Sequence, residues 1–189
     1  MGKDFWRGER VRLRAVEPGD WEKFFEGSFD SESLRASHEL PFPRSQERYK
    51  RWTEKLSSQD AEDDAFRWII DDLEGEMVGT INTFSCDRRH GTFSYGLGVD
   101  EGQRRAGYAS DAIRLVLRFF FEELRYQKAT VHVYSFNEPS IRLHERLGFQ
   151  PEGRLRSMIY TNGGFHDDLI FGMTAEEFAA RYPSDSKAP

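Results

Sequence analysis

The clearest sign of architecture in this chain is the stretch Val99-Asp100-Glu101-Gly102-Gln103-Arg104-Arg105-Ala106-Gly107-Tyr108-Ala109-Ser110. It runs from the end of a predicted strand, through a turn with small residues, into a predicted amphipathic helix. The first N–H groups of a helix have no partner within it, and the aligned peptide dipoles add partial positive charge at the same place. The stretch therefore predicts an anion-binding turn that suits a pyrophosphate.

A second motif follows after one predicted helix and one predicted strand. It reads Asn137-Glu138-Pro139-Ser140-Ile141-Arg142-Leu143-His144-Glu145-Arg146-Leu147-Gly148-Phe149, an Asn-x-x-Ser start followed by an amphipathic helix and a Gly-Phe end. Asparagine favours the start of a helix and glycine favours its end. This motif and the pattern Arg104-x-x-Gly107-x-Ala109 together resemble the two landmarks of the GNAT N-acetyltransferases.

The resemblance continues from Gly8-Glu9-Arg10-Val11-Arg12-Leu13-Arg14 to Gly164-Phe165-His166-Asp167-Asp168-Leu169-Ile170. It indicates the branch that contains the RimJ/RimL ribosomal-protein N-acetyltransferases and the spermidine acetyltransferases. The resemblance implies an α/β chain of the α+β type with the GNAT fold. In that fold a mixed, mostly antiparallel central sheet splays at the cofactor site and is flanked by helices.

Apolar periodicity predicts a compatible order of elements. Predicted strands cover residues 10–14, 66–71, 77–84, 92–99 and 129–134, and two closing strands meet at Asn162-Gly163-Gly164. Predicted helices begin after Pro18-Gly19-Asp20 and at Ser45, and cover Gly107 to Arg125 and Pro139 to Leu147. On the long helix, Asp111 is expected on the exposed face.

Length and composition predict one domain over residues 1–182, followed by a disordered tail over residues 183–189. No apolar run reaches the roughly 18 residues that span a bilayer, and the N-terminus lacks the apolar segment of a signal peptide. Cys86 is the only cysteine, which excludes an internal disulfide and a cysteine-cluster metal site. We therefore expect a cytoplasmic protein with no membrane partner and no metal.

The resemblance implies acetyl-CoA as co-substrate. The turn and the helix start would hold its pyrophosphate, the preceding strand end would pair with the pantetheine arm, and the second motif would add two polar residues. The implied cofactor-binding residues are Leu97, Gly98, Val99, Arg104, Arg105, Ala106, Gly107, Tyr108, Ala109, Ser110, Asn137 and Ser140. The N–H of Val99 is the implied donor to the thioester oxygen. Arg105 stands where the family commonly has glycine.

The catalytic groups depart from the family pattern at two positions. Where many members have a tyrosine acid, this chain has His144, which protonates a thiolate only while charged or through a water. Ser140 lies on the same helical face and is the second candidate acid, and a packing role for His144 stays open. Where the branch often has a glutamate base, this chain has Ser94. The candidate bases are Asp100, Glu101, Asp167 and Asp168, and a water chain or an acceptor amine that arrives partly neutral would need no dedicated residue.

We expect an N-acetyltransferase that moves the acetyl group of acetyl-CoA directly to a primary amine. The acceptor classes are a protein or peptide N-terminus, a polyamine, and a small amine-bearing metabolite or antibiotic. The alternative is a non-catalytic acyl-CoA-binding module, because the expected tyrosine and glutamate are missing. A formal net charge of −6 argues against a nucleic-acid partner and suits a cationic amine. The sequence leaves the oligomeric state open, a homodimer included. Three aromatics are expected either near the acceptor or in the core: Trp21, Phe42 and Trp52.

Overall fold

The strands of the computed structural model, which describes residues 4–37, 40–61 and 63–183, form one seven-stranded sheet. They are β1 (Val11–Ala15), β2 (Arg67–Asp72), β3 (Met77–Asp87), β4 (Thr92–Val99), β5 (Lys128–Tyr134), β6 (Gln150–Thr161) and β7 (Gly164–Thr174). Their order is β1-β2-β3-β4-β5-β7-β6. The pair β4–β5 is parallel, whereas β1–β2, β2–β3, β5–β7 and β6–β7 are antiparallel. The mixed, mostly antiparallel sheet predicted from the sequence is thus confirmed.

Six α-helices are assigned within the described ranges. They are α1 (Trp21–Gly27), α2 (Ser31–Ser37), α3 (Gln46–Ser57), α4 (Tyr108–Arg118), α5 (Glu138–Leu147) and α6 (Ala175–Arg181). Short 3-10 turns cover Pro18–Asp20 and Glu101–Gln103. In the part of the chain that the structure describes, no helix is long and apolar enough to cross a membrane.

The long helix predicted to reach Arg125 differs from the observed one. The α-helix ends at Arg118, and Phe119–Glu123 form a π-helical turn. The wider turn lets Phe120 stack on Phe93 at a ring distance of 4.1 Å, and its carbonyl accepts a hydrogen bond from the Tyr126 N–H. Packing of consecutive aromatic residues therefore overrides the regular helical repeat at this point.

Two compact units share these elements. One comprises the described residues of Met1–Thr83 with Gly96–Leu115, and the other those of Phe84–Tyr95 with Val116–Pro189. The predicted single domain over residues 1–182 stays a prediction. The predicted disordered tail over 183–189 lies outside the described residues, apart from Pro183.

The first unit is built on β1, β2 and β3. Its core includes Val11, Leu13, Ile69, Ile70, Val78 and Ile81, all of them buried. Ser45 caps the start of α3, as predicted, by accepting a hydrogen bond from the Arg48 N–H. The Thr53 hydroxyl of α3 donates to the Pro18 carbonyl, and Phe24 of α1 packs edge-on against Trp52 of α3. The buried Thr53 thus joins α3 to the 3-10 turn before α1, and the partly exposed aromatic pair joins α3 to α1.

The second unit contains the parallel ladder between β4 and β5. The ladder pairs Thr92 with Lys128, Phe93 with Ala129 and Ser94 with Thr130. β7 pairs with β5 along the whole length of β5, from Lys128 opposite Thr174 to Tyr134 opposite Asp168. The core of this unit includes Phe93, Phe120, Val131, Val133, Phe171, Met173 and Phe178.

Candidate active site

The turn between β4 and α4, residues 100–107, is the predicted anion site. Asp100 donates its N–H to the Val78 carbonyl at 3.0 Å, which fixes the turn to β3. Arg105 and Gly107 both adopt left-handed conformations, with φ of 70° and 89°. Alternation of left-handed and ordinary backbone turns successive N–H groups toward one side, as in anion-binding nests. The family preference for glycine at position 105 has its physical reason in this backbone, because glycine adopts positive φ without strain.

Helix α4 begins directly after this turn. It starts at Tyr108, so the N–H groups of Tyr108, Ala109 and Ser110 precede the first intrahelical hydrogen bond, which the Asp111 N–H donates to the Gly107 carbonyl. The 101–105 segment is exposed. The predicted turn, the helix start and the accessible surface thus occur together in the first unit.

The two arginines of the turn have different surroundings. Arg104 donates through Nε to the Val99 carbonyl at 3.2 Å and through Nη2 to the Ser33 hydroxyl, and it lies 3.7 Å from an Asp30 oxygen. Hydrogen bonds from Ser33, together with the Arg104 charge, lower the pKa of Asp30. Arg104 therefore ties the turn to β4 and to the start of α2. The side chain of Arg105 is exposed, which makes it the arginine available to a ligand.

Asp111 corrects one expectation. It was expected on the exposed face of the helix, but only 3% of it is exposed. Its carboxylate accepts hydrogen bonds from the N–H groups of Arg10 and Val11 at 2.7 and 3.1 Å. Its contact with Gly8 is so close that a Cβ there would lie 2.3 Å from Oδ2. A helical repeat alone gives no signal for such a contact, since it depends on a strand about a hundred residues earlier.

Arg10 contacts the turn, a contact that the sequence reasoning missed. Its guanidinium donates to the Ala106 carbonyl at 3.3 Å, and its side chain lies where a Cβ on Gly107 would stand, 2.9 Å from Cδ. The side chain thereby supports the turn from beneath. Arg10 belongs to the Gly8–Arg14 stretch that carries the family resemblance, but no local pattern in the sequence indicates its bond to the Ala106 carbonyl.

Close approach of β3 to β4 occurs at a glycine pair. A Cβ on Gly79 would lie 2.2 Å from the Gly98 carbonyl oxygen and 3.0 Å from the Val99 Cα, whereas a Cβ on Gly98 would meet nothing within 4 Å. The backbone of Leu97, Gly98 and Val99 is therefore held by β3 on one side and has open space beside Gly98. The implied pantetheine contacts and the Val99 oxyanion donor stay predictions.

Helix α5, in the second unit, begins at Glu138, one residue before the predicted Pro139, and ends at Leu147 as predicted. The Asn137 side-chain oxygen caps it by accepting from the Ser140 N–H at 3.2 Å, and Gly148 ends it with a left-handed φ of 99°. The side-chain oxygen of Asn137 therefore has a structural role as a helix cap. Its role toward a cofactor stays a prediction.

His144 lies on α5 in a buried hydrogen-bonded chain. Its Nδ1 lies 2.8 Å from the Ser140 carbonyl oxygen and 3.4 Å from the Ser140 hydroxyl, and its Nε2 lies 3.0 Å from the Tyr95 hydroxyl. A carbonyl only accepts, so Nδ1 carries the ring proton and the Tyr95 hydroxyl donates to Nε2. The exposed fractions are 2% for His144 and 4% for Tyr95.

Burial determines the protonation state of His144 and Tyr95. It lowers the pKa of His144 to about 4, although the bond to the Ser140 carbonyl acts in the opposite direction. Burial also raises the pKa of Tyr95 well above its usual value. At neutral pH both groups are uncharged, so the imidazolium form considered for His144 is not the populated one. Tyr95 is a partner that the sequence reasoning placed on the strand but did not connect with His144.

The four carboxylates considered as the base differ in exposure and in their partners. Asp167 accepts from the Ser157 N–H and from Arg154, and these bonds lower its pKa. Asp100 and Glu101 are exposed. Asp168 is buried and is paired with His132 at 2.7 Å. Within the described ranges, no group of three or more His, Cys, Asp or Glu side chains is arranged to hold a metal ion.

The expected acceptor aromatics lie in the first unit. Trp52 contacts Phe24 and lies 5.6 Å below the guanidinium of Arg67, and Trp21 lies beneath the Lys50 ammonium at 4.5 Å. Phe42 is 93% exposed, so it is no core residue in this structure.

This fold and these two motifs define a class of acyl-transfer enzyme, and comparison with known proteins identifies it. The family model described as "Acetyltransferase (GNAT) domain" matches residues 10–150. The chain belongs to the GNAT acetyltransferase family and is an N-acetyltransferase.

Individual relatives agree with this assignment. The SPbeta prophage-derived uncharacterized N-acetyltransferase YokL of Bacillus subtilis is 49% identical over 178 residues, which cover 94% of this chain and 97% of that protein. The L-amino acid N-acetyltransferase AaaT of Escherichia coli is 24% identical, with 83% and 93% covered. A crystal structure of spermidine N-acetyltransferase from Vibrio cholerae, in complex with CoA and spermine, shares the fold with a TM-score of 0.77 at 20% identity, covering 89% and 97% of the two chains.

Proposed function

We propose that this protein transfers the acetyl group of acetyl-CoA directly to a primary amine. The observation that carries the proposal is the turn 100–107, in which two left-handed residues lead into the open N-terminus of α4. Backbone N–H groups and the helix dipole suit the pyrophosphate of the co-substrate there. The structure of the Vibrio cholerae neighbour in complex with CoA supports this choice of co-substrate.

When bound, acetyl-CoA supplies an activated thioester, and the protein supplies position and polarity. Arg10 and Arg104 hold the turn in shape, and Arg105 offers an exposed guanidinium to the phosphates. In our proposal Leu97, Gly98 and Val99 pair with the pantetheine arm, and the Val99 N–H stabilises the developing oxyanion. Asn137 and Ser140 complete the cofactor contacts that the family resemblance implies.

The neutral state of His144 favours Ser140 as the general acid on α5. Because His144 is neutral and donates its one ring proton to the Ser140 carbonyl, we assign it the role of orienting Ser140 and Tyr95. The Ser140 hydroxyl is then the side-chain donor on this helix. At saturating acetyl-CoA and saturating amine, so that a change in cofactor affinity does not enter, Ser140→Ala should lower kcat more than His144→Phe does. A loss near 10²-fold in His144→Phe alone would restore His144 as the acid.

The acceptor is a primary amine of a class that turnover must identify. The net charge of −6 favours a cationic amine, and relatives named for spermidine and for L-amino acids make both classes worth testing. CoA release should be measured with spermidine, an L-amino acid, an aminoglycoside and an oligopeptide with a free N-terminus. Release of CoA with at least one of these supports the transferase. Acetyl-CoA binding without release with any of them would favour the non-catalytic binding module.

The cofactor site has a matched test in two glycines. Gly107 and Gly75 have φ of 89° and 94°, so the backbone strain and the added charge of an aspartate are similar at both positions, and only at Gly107 does a Cβ also meet a side chain, Arg10 Cδ at 2.9 Å. Calorimetry should show that Gly107→Asp abolishes acetyl-CoA binding and that Gly75→Asp, in the β2–β3 turn, retains it. Equal affinity in two folded variants would place the cofactor elsewhere.

A further inference from the structure

The second unit contains two histidine–aspartate pairs of the same length and different surroundings. Nδ1 of His132 lies 2.7 Å from Oδ2 of Asp168, and Nδ1 of His90 lies 2.7 Å from Oδ2 of Asp87. The His90 pair is formed within one exposed turn, with 65% and 46% of the two side chains exposed. In the other pair, 46% of the His132 side chain but only 9% of the Asp168 side chain is exposed.

Asp87 has an ordinary structural role. Its Oδ1 accepts from the N–H groups of Arg89 and His90, which fixes the β3–β4 turn. Asp168 has no such role, because its Oδ1 is buried and has no hydrogen-bond partner in the part of the chain that the structure describes. A buried carboxylate oxygen without a hydrogen bond is destabilising, and such exceptions call for an explanation.

Strand register places the His132 pair on a defined face. Thr130, His132 and Tyr134 alternate with the buried Val131 and Val133, so the three share the opposite face of β5. Tyr134 is paired with Asp168, which brings Asp168 to the same face from β7. Ser94 of β4 is paired with Thr130, and partners in a ladder point their side chains to one side.

His132 therefore lies two residues beyond the partner of Ser94, on the face of Ser94. Ser94 occupies the position where the resemblance led us to expect a glutamate base. A serine does not accept a proton from an ammonium ion at neutral pH, but an imidazole does. With its Nδ1 proton donated to Asp168, His132 has its lone pair on Nε2.

We propose that His132, oriented by Asp168, is the general base that deprotonates the acceptor amine; this rests on the proposed transferase function. Nε2 takes one proton from the acceptor ammonium. The neutral amine nitrogen then forms a bond to the thioester carbonyl carbon, and the carbon–sulfur bond breaks. The Ser140 hydroxyl gives its proton to the CoA thiolate and regains one from the nitrogen, and His132 returns its proton to water. Asp168 is a positioning residue that fixes the tautomer and stabilises the imidazolium.

Other charged groups on this face belong to separate contacts. Lys128 of β5 is paired with Glu152 of β6 at 2.7 Å, and a Cβ on Gly172 would meet that glutamate. His166 of β7 packs against Phe136. In the second unit, Asp168 is thus the carboxylate that the structure joins to His132.

The test compares His132→Gln, Asp168→Asn and the matched control His90→Gln. The assay is CoA release with the best amine among spermidine, an L-amino acid, an aminoglycoside and an oligopeptide. At pH 7, His132→Gln should lower kcat/KM about 10²-fold, and His90→Gln should leave it unchanged. Asp168→Asn should lose a similar factor, because an amide that donates to Nδ1 moves the ring proton to Nε2. The double variant His132→Gln/Asp168→Asn should lose no more kcat/KM than either of its single variants.

The pH profile separates catalysis from structure. The loss in His132→Gln should shrink as pH rises toward the pKa of the amine, because the free amine needs no base. Acetyl-CoA affinity, measured by calorimetry, should stay unchanged in all variants. A His132→Gln enzyme with more than half of the wild-type kcat/KM and the same pH profile would overturn the proposal. It would also be overturned if Asp100→Asn, and not His132→Gln, showed the pH-dependent loss of kcat/KM expected for removal of the base. If the wild-type protein acetylates none of the four amines but binds acetyl-CoA, the transferase function itself fails.

Discussion

Replacement of Gly79 by alanine tests whether the β3–β4 contact shapes the cofactor strand. The new Cβ would lie 2.2 Å from the Gly98 carbonyl oxygen, so the two backbones must separate by about 1 Å to reach an ordinary contact near 3.4 Å. The neighbouring group is backbone, which cannot rotate away as a side chain can. We expect a loss of about 1–3 kcal/mol in the free energy of unfolding, as for other overpacked cores. For a chain of this length that corresponds to a fall of roughly 2–12 °C in Tm.

Displacement of Gly98 also moves the Val99 N–H, the proposed oxyanion donor. A misplacement of about 1 Å at a catalytic group can lower the rate about 10²-fold, so kcat should fall by more than the loss of folded protein explains. Thermal denaturation and CoA release, measured on the same samples, give both numbers. Gly98→Ala is the control for stability, because its methyl group meets nothing within 4 Å and restricts the unfolded chain. If Gly79→Ala is as stable and as active as the wild type, the strand contact does not shape the site.

Three further outcomes are expected. The free energy of unfolding should fall as pH drops from about 6.5 to about 4, by roughly 1.4 kcal/mol per pH unit, because His144 binds a proton in the unfolded chain but not in the folded one. Urea denaturation at several pH values should show this slope in the wild type and not in His144→Gln. Arg105→Gly should keep the stability of the fold, since its φ of 70° suits glycine, and should weaken acetyl-CoA binding if the guanidinium contacts phosphate; unchanged binding by calorimetry would remove Arg105 from the site. The kcat/KM for a cationic amine should decline between low and physiological salt, because screening weakens attraction to a protein of net charge −6; a flat response would contradict electrostatic steering.

Local chemistry in the sequence was sufficient for most elements of the fold. The Asn162-Gly163 turn places both residues at positive φ, 49° and 75°, between β6 and β7, as a two-residue hairpin requires. Helix α6 was missed although its signal is present, since Thr174 and Glu177 form a capping box. The short helix α2 was missed as well, and its seven residues span too few turns for a periodic pattern.

In the candidate site, the features set by residues adjacent in sequence were predictable and those set by long-range contacts were not. The turn 100–107 and the helix start were predictable, because they depend on residues adjacent in sequence. The role of Arg10, the burial of Asp111 and the Tyr95–His144 bond were not, because each joins residues at least 49 positions apart. The charge of His144 follows from this packing, so a pKa argued from residue type alone pointed to the wrong protonation state.

The bond between Asp111 and the start of β1 also bears on how the site is assembled. Its partners are 101 residues apart, so the support of the turn exists only after a loop of that length has closed. Closure of such a loop carries an entropic cost that local contacts do not, and contacts of this kind slow folding. An affinity tag fused close to Gly8, or a truncation that reaches Val11, thus alters the anchoring of a turn encoded about a hundred residues later, and the N-terminus is best left native when the enzyme is produced.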